Sequence, residues 1–282
     1  MLNELEHLRF SYEIDLFRTI SSRFGQFPFL GSVKSRNLLD ARRRELLGDA
    51  VRVTNDLLPD IYDIYQSCLN LLGGDLSGDL FVKQSKDYNA SVFAHNNKFD
   101  ILIHSALIKD FTADELRFVF GHELGHVVFE HNRFPILNIL AKTKKVNQDL
   151  TNLLFRWSRA VEVSADRVGL LCCGQLAAAV TALFQTSSGL SDISVDRVLR
   201  SFRKQYDVLQ EHIEEFSDIN SWIRTHPMIP IRFKAMELVA LDIIALRHQP
   251  KRFSNKGFIE MDRQIANLLK ELDMKSGPTY FL

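Results

Sequence analysis

Residues 112–128 read TADELRFVFGHELGHVV, and the rest of the fold is arranged around this stretch. Thr112 followed three residues later by Glu115 is the signature of a helix start in which each side chain satisfies the other's backbone N–H. Leu116, Val119, Phe120, Leu124 and Val127 then recur at helical spacing and define one apolar face. His122 and His126 stand one above the other on this helix, about 40° apart around its axis. Both imidazoles can therefore reach one tetrahedral zinc ion at roughly 2.0–2.1 Å. Glu123, beside the first histidine, is placed to take a proton from zinc-bound water. Gly121 and Gly125 each cost about 1 kcal/mol against alanine in a helix interior, which predicts a close approach to the backbone on that face. The competing reading is a surface helix with incidental histidines. It is disfavoured because three unpaired polar side chains beside an apolar face are expensive to bury.

A third ligand must come from elsewhere. His131 lies nine residues after His122, about 180° around a continuous helix. The longer pattern H-E-x-x-H-x-x-G-x-x-H fails as well, because Phe129 and Asn132 stand where it needs glycine and histidine. His131 is instead expected to cap the helix end. Residues 157–166, WSRAVEVSAD, are more promising. Ala160, Ser164, Ala165 and Gly169 offer a small-residue face for another helix, and Glu162 and Asp166 lie one turn apart on one side. Like charges at that spacing repel. A cation would reverse the sign, with Glu162 on the metal and Asp166 accepting a hydrogen bond from a ligating histidine. On the residues alone, a solvated acidic face competes with this reading.

Around these two helices the texture is mostly helical. Residues 1–75 read mainly as helix, and further helices are expected over 113–131, 148–173, 175–186, 193–214 and 229–247. Between lies a different stretch. DLFVKQ, SVFAH and FDILIHSALI are short, β-branched and aromatic, with His95-Asn96-Asn97-Lys98 as a hairpin turn, so residues 80–105 are expected to form a small sheet. FGQFPFLGS (24–32) reads as an ordered loop that docks its aromatics or contacts substrate, and the last 35 or so residues as a mixed, charged tail.

Composition bounds the function. The 282 residues are 46% hydrophobic with equal numbers of acidic and basic side chains, 35 each, so neither disorder nor nucleic-acid binding is expected. Three cysteines, Cys68, Cys172 and Cys173, are too few and too odd for a disulfide framework and fit a reducing compartment; Cys172 and Cys173, inside an apolar segment, read as small core residues. The acidic, amphipathic start lacks the pattern of a secretory signal. The longest apolar stretch, Gly169 to Phe184, is interrupted by Gly174 and Gln175 and is short for a span of about 20 residues. A soluble cytoplasmic protein without an integral membrane segment is expected. Oligomeric state has no signature here.

HELGH followed some 36 residues later by E-V-S-A-D resembles the gluzincin peptidases of the CAAX prenyl endopeptidase and HtpX-like group, which carry H-E-x-x-H on one helix and E-x-x-x-D on a second. Asn89-Ala-Ser-Val-Phe-Ala resembles the strand preceding the family's hairpin. ILIHSALIKDFTADELRFVFGHELGH follows the family's order of strand, helix start and active-site helix. Arg224-Thr-His226-Pro227 with Ile231-Arg232 resembles a later family segment. The resemblance covers about residues 55–240. It implies a predominantly helical α+β fold, with a small antiparallel sheet beside the H-E-x-x-H helix. It also implies one zinc ion on His122, His126 and Glu162, with Glu123 as general base and Asp166 orienting a histidine. His226 and Arg232 would lie near the cleft, His226 as a candidate to stabilise the oxyanion or hold substrate. The competing reading of these two is a helix N-terminus and a surface arginine. Membrane members of the group carry transmembrane helices, and none is expected here. The implied organisation is an N-terminal helical extension (1–54), a catalytic domain (55–244) and a C-terminal tail (245–282). The expected activity is zinc-dependent hydrolysis of flexible peptide or protein segments, with Asn89, Ala90 and Val92 as an edge strand that pairs with substrate. The alternative is a latent or catalytically silent peptide-binding protein on the same scaffold.

Overall fold

The computed structural model describes residues 5–24, 33–73, 76–95, 98–133, 148–215, 228–248 and 256–275. In chain order they form helices α1 (Ser11–Phe24) and α2 (Val33–Asp49), strand β1 (Val51–Arg52), helix α3 (Pro59–Leu72), and strands β2 (Gly78–Lys83), β3 (Ala90–His95) and β4 (Lys98–His104). Helices α4 (Ser105–Asp110), α5 (Ala113–Val128), α6 (Gln148–Cys173), α7 (Leu176–Ser188), α8 (Val195–Glu215), α9 (Ile229–His248) and α10 (Lys256–Lys275) follow. The fold is α+β and predominantly helical.

The sheet is mixed, in the order β1-β2-β4-β3, and this corrects the antiparallel sheet expected from sequence. β3 and β4 form the expected hairpin, with His95 opposite Lys98. β4, however, inserts between β3 and β2 and runs parallel to β2, from Gly78 opposite Phe99 to Lys83 opposite His104. Alternating apolar residues fix which side chains face the core but not which strand is the neighbour, so the parallel pairing had no local signature. Alternation sorts the two faces as expected. Leu80, Phe99, Ile101 and Ile103 face the helical body, while Phe81 and Leu102 meet Leu46 of α2. β3 is left at the edge.

The body is organised by one helix crossing. Thr112 caps α5 as anticipated: its Oγ1 accepts from the Glu115 N–H, and the Glu115 carboxylate accepts from the Thr112 N–H at 2.7 Å. α5 then lies directly against α6. A Cβ added at Gly121 would sit 2.6 Å from the Cys172 Cβ and 2.9 Å from the Gly169 Cα, and one at Gly125 would sit 2.9 Å from the Ala165 Cα. The close approach inferred from the two glycines is thus helix α6 itself. Arg247 of α9 donates to the Leu171 and Cys172 carbonyls and closes the end of α6. The three cysteines are free, as expected, and buried.

A second apolar region joins α1, the first half of α6, α9 and α10 through Phe10, Leu16, Ile20, Leu154, Trp157, Ile231, Ile265 and Leu269. The C-terminal segment therefore docks on the body. Asp262 of α10 takes a hydrogen bond from Arg167 of α6 at 2.5 Å and another from the Ser11 N–H at 2.8 Å. The aromatic loop at residues 25–32 lies outside the described residues. Among the described residues no helix is long and apolar enough to cross a membrane.

Gly121→Ala is expected to destabilise the protein by about 1–3 kcal/mol through overpacking, despite the roughly 1 kcal/mol that alanine gains in a helix. Gly48→Ala in α2, where nothing lies within 4 Å, should instead stabilise it by up to about 1 kcal/mol. Urea unfolding of the two variants beside the parent checks the contrast.

Candidate metal centre

The α5–α6 crossing brings the candidate residues of the two helices together. His122 and His126 project from α5, and Glu162 faces them from α6. The His122 and His126 Nε2 atoms are 3.3 Å apart. Glu162 places one oxygen 3.5 Å from the first and the other 3.6 Å from the second. Ligands about 2.0–2.1 Å from a tetrahedral ion stand roughly 3.3 Å from one another, so the three side chains have the spacing of a coordination set. These three are the one group of potential ligand atoms found so clustered among the described residues.

The outer contacts supply the polarity. His122 Nδ1 is 2.9 Å from Asp166 Oδ1. With its proton given to that carboxylate, the imidazole turns the Nε2 lone pair inward. Asp166 is in turn gripped by Arg232, through Nε at 2.8 Å and the second guanidinium nitrogen at 2.5 Å. Burial alone would raise the Asp166 carboxyl, but Arg232 and His122 outweigh it and hold it at about 2. The same balance acts on His122. Burial pushes its pKa down, and Asp166 and Glu162 push it above the ordinary value. The site therefore favours a positive charge, which a divalent ion could supply in place of a proton.

Glu123 is buried beside the cluster, and its carboxyl is pushed up to about 7, first by burial and then by the nearby Glu162 charge. The Val92 backbone faces this carboxyl and favours its charged form. The register explains how. The His104 N–H donates to the Asn89 carbonyl, so alternate residues of β3 bond to β4, and the backbone groups of Ala90 and Val92 point to the open edge. Asn89, Ala90, Glu123, Glu162 and Arg232 line one cleft of about 240 Å³, together with Phe118 and, from α7, Thr186 and Ser187.

Six of the candidate residues thus converge: His122, Glu123, His126, Glu162, Asp166 and Arg232. The edge strand adjoins them. Arg232 is not a surface arginine but is largely buried against Asp166. His226 lies outside the described residues. His131 does not cap the helix, and this corrects the expectation. The 180° argument assumed a continuous helix, but α5 ends at Val128, and Glu130 takes a left-handed conformation (φ 53°). His131 is thereby swung back, and its Nδ1 comes within 2.8 Å of His126 Nδ1. Glu13 and Ser164, behind His131, had no signal in sequence beyond an acidic helix and a small residue.

The chain matches the model of peptidase family M48 over residues 77–145 and 136–240. Plastoglobule-localized metallopeptidase 48, chloroplastic, of Arabidopsis thaliana is 29% identical over 194 residues. The alignment takes in 65% of this chain and 55% of that protein, so the chain spans about half the length of the curated relative it matches.

Glu162→Ala should reduce bound metal in the purified protein to well below one equivalent, measured by elemental analysis after dialysis. Because the His122 pKa is raised, protons compete with metal from above its ordinary value of about 6.5. Apparent affinity should therefore fall steadily as pH is lowered through and below neutrality, which a chelator competition series reads directly.

Proposed function

The chain belongs to peptidase family M48, and from that premise we propose that it is a zinc-dependent endopeptidase of the gluzincin type. The observation that carries this reading is the convergence of two imidazole nitrogens and a carboxylate within 3.3–3.6 Å, with a second carboxylate, Glu123, buried beside them on an open cleft.

His122, His126 and Glu162 would hold the ion. A zinc ion bound there would supply a Lewis acid for the scissile carbonyl and lower the pKa of water toward about 7. Glu123 takes the proton of the attacking water and returns it to the leaving amine nitrogen. Burial raises this carboxyl in the metal-free site and a bound divalent cation would lower it again, and a group that must act as base and then acid works best near the operating pH. Asp166 holds His122 in one tautomer and orientation, and Arg232 fixes Asp166 in turn. His226 remains the candidate for stabilising the oxyanion or holding substrate.

The substrate is a peptide or protein in extended conformation. The outward backbone groups of Ala90 support this, because they offer a strand edge at the cleft to a segment that is itself unpaired. Flexible or unfolded segments meet that condition without prior unfolding. The three buried free thiols fit a reducing, cytoplasmic setting, whereas the Arabidopsis relative is by its name a chloroplast protein.

Glu123→Gln keeps the shape of the side chain and removes its basicity. Hydrolysis of an unstructured protein such as casein should fall by at least about 100-fold, with zinc content unchanged. Retained activity with zinc bound would remove Glu123 from the mechanism. If the parent binds zinc and peptide but cleaves nothing, the silent-binder alternative is the better account.

A further inference from the structure

The two histidines of the site are backed differently. His122 rests directly on the Asp166 carboxylate. His126 rests on another imidazole, that of His131, and behind His131 stands a carboxylate from the far N-terminal part of the chain. We infer that Glu13 of α1 is a positioning residue for the metal ligand His126, acting through His131. The inference rests on the metal-site reading above and deepens it.

The contacts run in one line. His126 Nδ1 is 2.8 Å from His131 Nδ1, and His131 Nε2 is 3.4 Å from Glu13 Oε2. Glu13 is fully buried, and its position is fixed on every side. Arg9 donates to Oε1 from Nε at 2.9 Å and from a terminal nitrogen at 2.7 Å. The Ser164 hydroxyl donates to Oε2 at 2.6 Å, while its oxygen accepts the Phe10 N–H at 3.0 Å. Ser164 lies between Glu162 and Asp166 in sequence, so the helix that carries the third ligand also grips the segment that carries Glu13. Burial pushes the Glu13 carboxyl up, but His131 and Arg9 outweigh it, and it stays below the usual carboxylate range.

Proton positions along this line follow from the partners. The Glu13 carboxylate stands 3.4 Å from His131 Nε2, outside hydrogen-bond geometry, and its charge favours the tautomer with the proton on that nitrogen. In the neutral form of the ring the other nitrogen, Nδ1, is then an acceptor. It receives the Nδ1–H of His126, and His126 is left with its lone pair on Nε2, the atom that faces His122 Nε2 and Glu162. A carboxylate 3.4 Å behind the intermediate ring thus selects the tautomer in which His126 can ligate. The ring that relays this is itself clamped. Trp157 meets His131 edge-on at 6.0 Å, and Phe129 lies 5.8 Å away. The described part of the N-terminal segment therefore stands behind the metal site, and none of its residues lines the cleft.

The test measures zinc affinity of the full chain by chelator competition, alongside the visible absorption of the cobalt-substituted protein and the melting temperature of the metal-free protein. Glu13→Gln and His131→Gln are each expected to weaken zinc binding about 10- to 100-fold and to shift the cobalt spectrum. Their double variant should be no weaker than the worse single, because both changes break one line. Leu16→Ala, which loosens α1 without touching that line, should lower the melting temperature and leave zinc affinity within about twofold of the parent. Should Glu13→Gln not fold, Glu13→Asp carries the same expectation, since it keeps the charge for Arg9 but withdraws the carboxylate from His131. Zinc affinity unchanged in the folded Glu13 variant, or additive losses in the double variant, would overturn the inference. If Glu162→Ala also binds zinc as the parent does, the metal-site reading itself fails, and the two failures are told apart.

Discussion

Everything in this molecule depends on two helices lying backbone to backbone. α5 presents Gly121 and Gly125, and α6 answers with Gly169 and Ala165 and with the Cys172 and Val168 side chains, which stand so close that a Cβ at either glycine of α5 would meet them. Helices usually pack with axes about 8–10 Å apart, set by the side chains between them. Across this contact Glu162 on one helix places its oxygens 3.5 and 3.6 Å from two histidines on the other. Two interior glycines weaken an isolated helix, and the crossing offsets that weakness with tight contact along the apolar sides of both helices.

The crossing also explains why the site is surrounded by fixed charge. Glu162, Asp166 and Arg232 are all largely withdrawn from water. A buried carboxylate is tolerated only when it is paired and hydrogen-bonded. Asp166 meets that condition within the protein, through Arg232 and His122. Glu162 has the Arg232 guanidinium 3.6 Å from one oxygen as well as the two imidazoles, and a cation held among those nitrogens would add to that balance. The asymmetry between two acids one turn apart on the same helix is a matter of what each one faces.

Much of this was legible before any coordinates. The capping box at Thr112, the periodicity after it and the four-residue spacing of the histidines are local patterns, and local patterns survive folding. Glu162 and Asp166 were legible as a pair because one-turn spacing puts them on one side of a helix, although their partner was not. Long-range relations were less accessible. The parallel pairing of β2 with β4 depends on where β4 inserts, which alternation does not encode. His131 was misjudged because one residue, Glu130, leaves the right-handed helical region and redirects the chain. Glu13 lies about 110 residues from the atoms it serves, and a buried glutamate looks like any other acid on an amphipathic helix.

The Val92 backbone bears on the Glu123 carboxyl and so couples an edge strand to an acid on the neighbouring helix. A peptide N–H that faces a carboxylate favours its charged form and makes its two oxygens inequivalent. The ordering that proton transfer would otherwise demand is thus partly met when the chain folds. A strand that docks at this edge lies against the same peptide unit that bears on the acid. Alignment of the incoming backbone and alignment of the base thereby share a single frame of reference, and a ligand that distorts the edge would misdirect both at once.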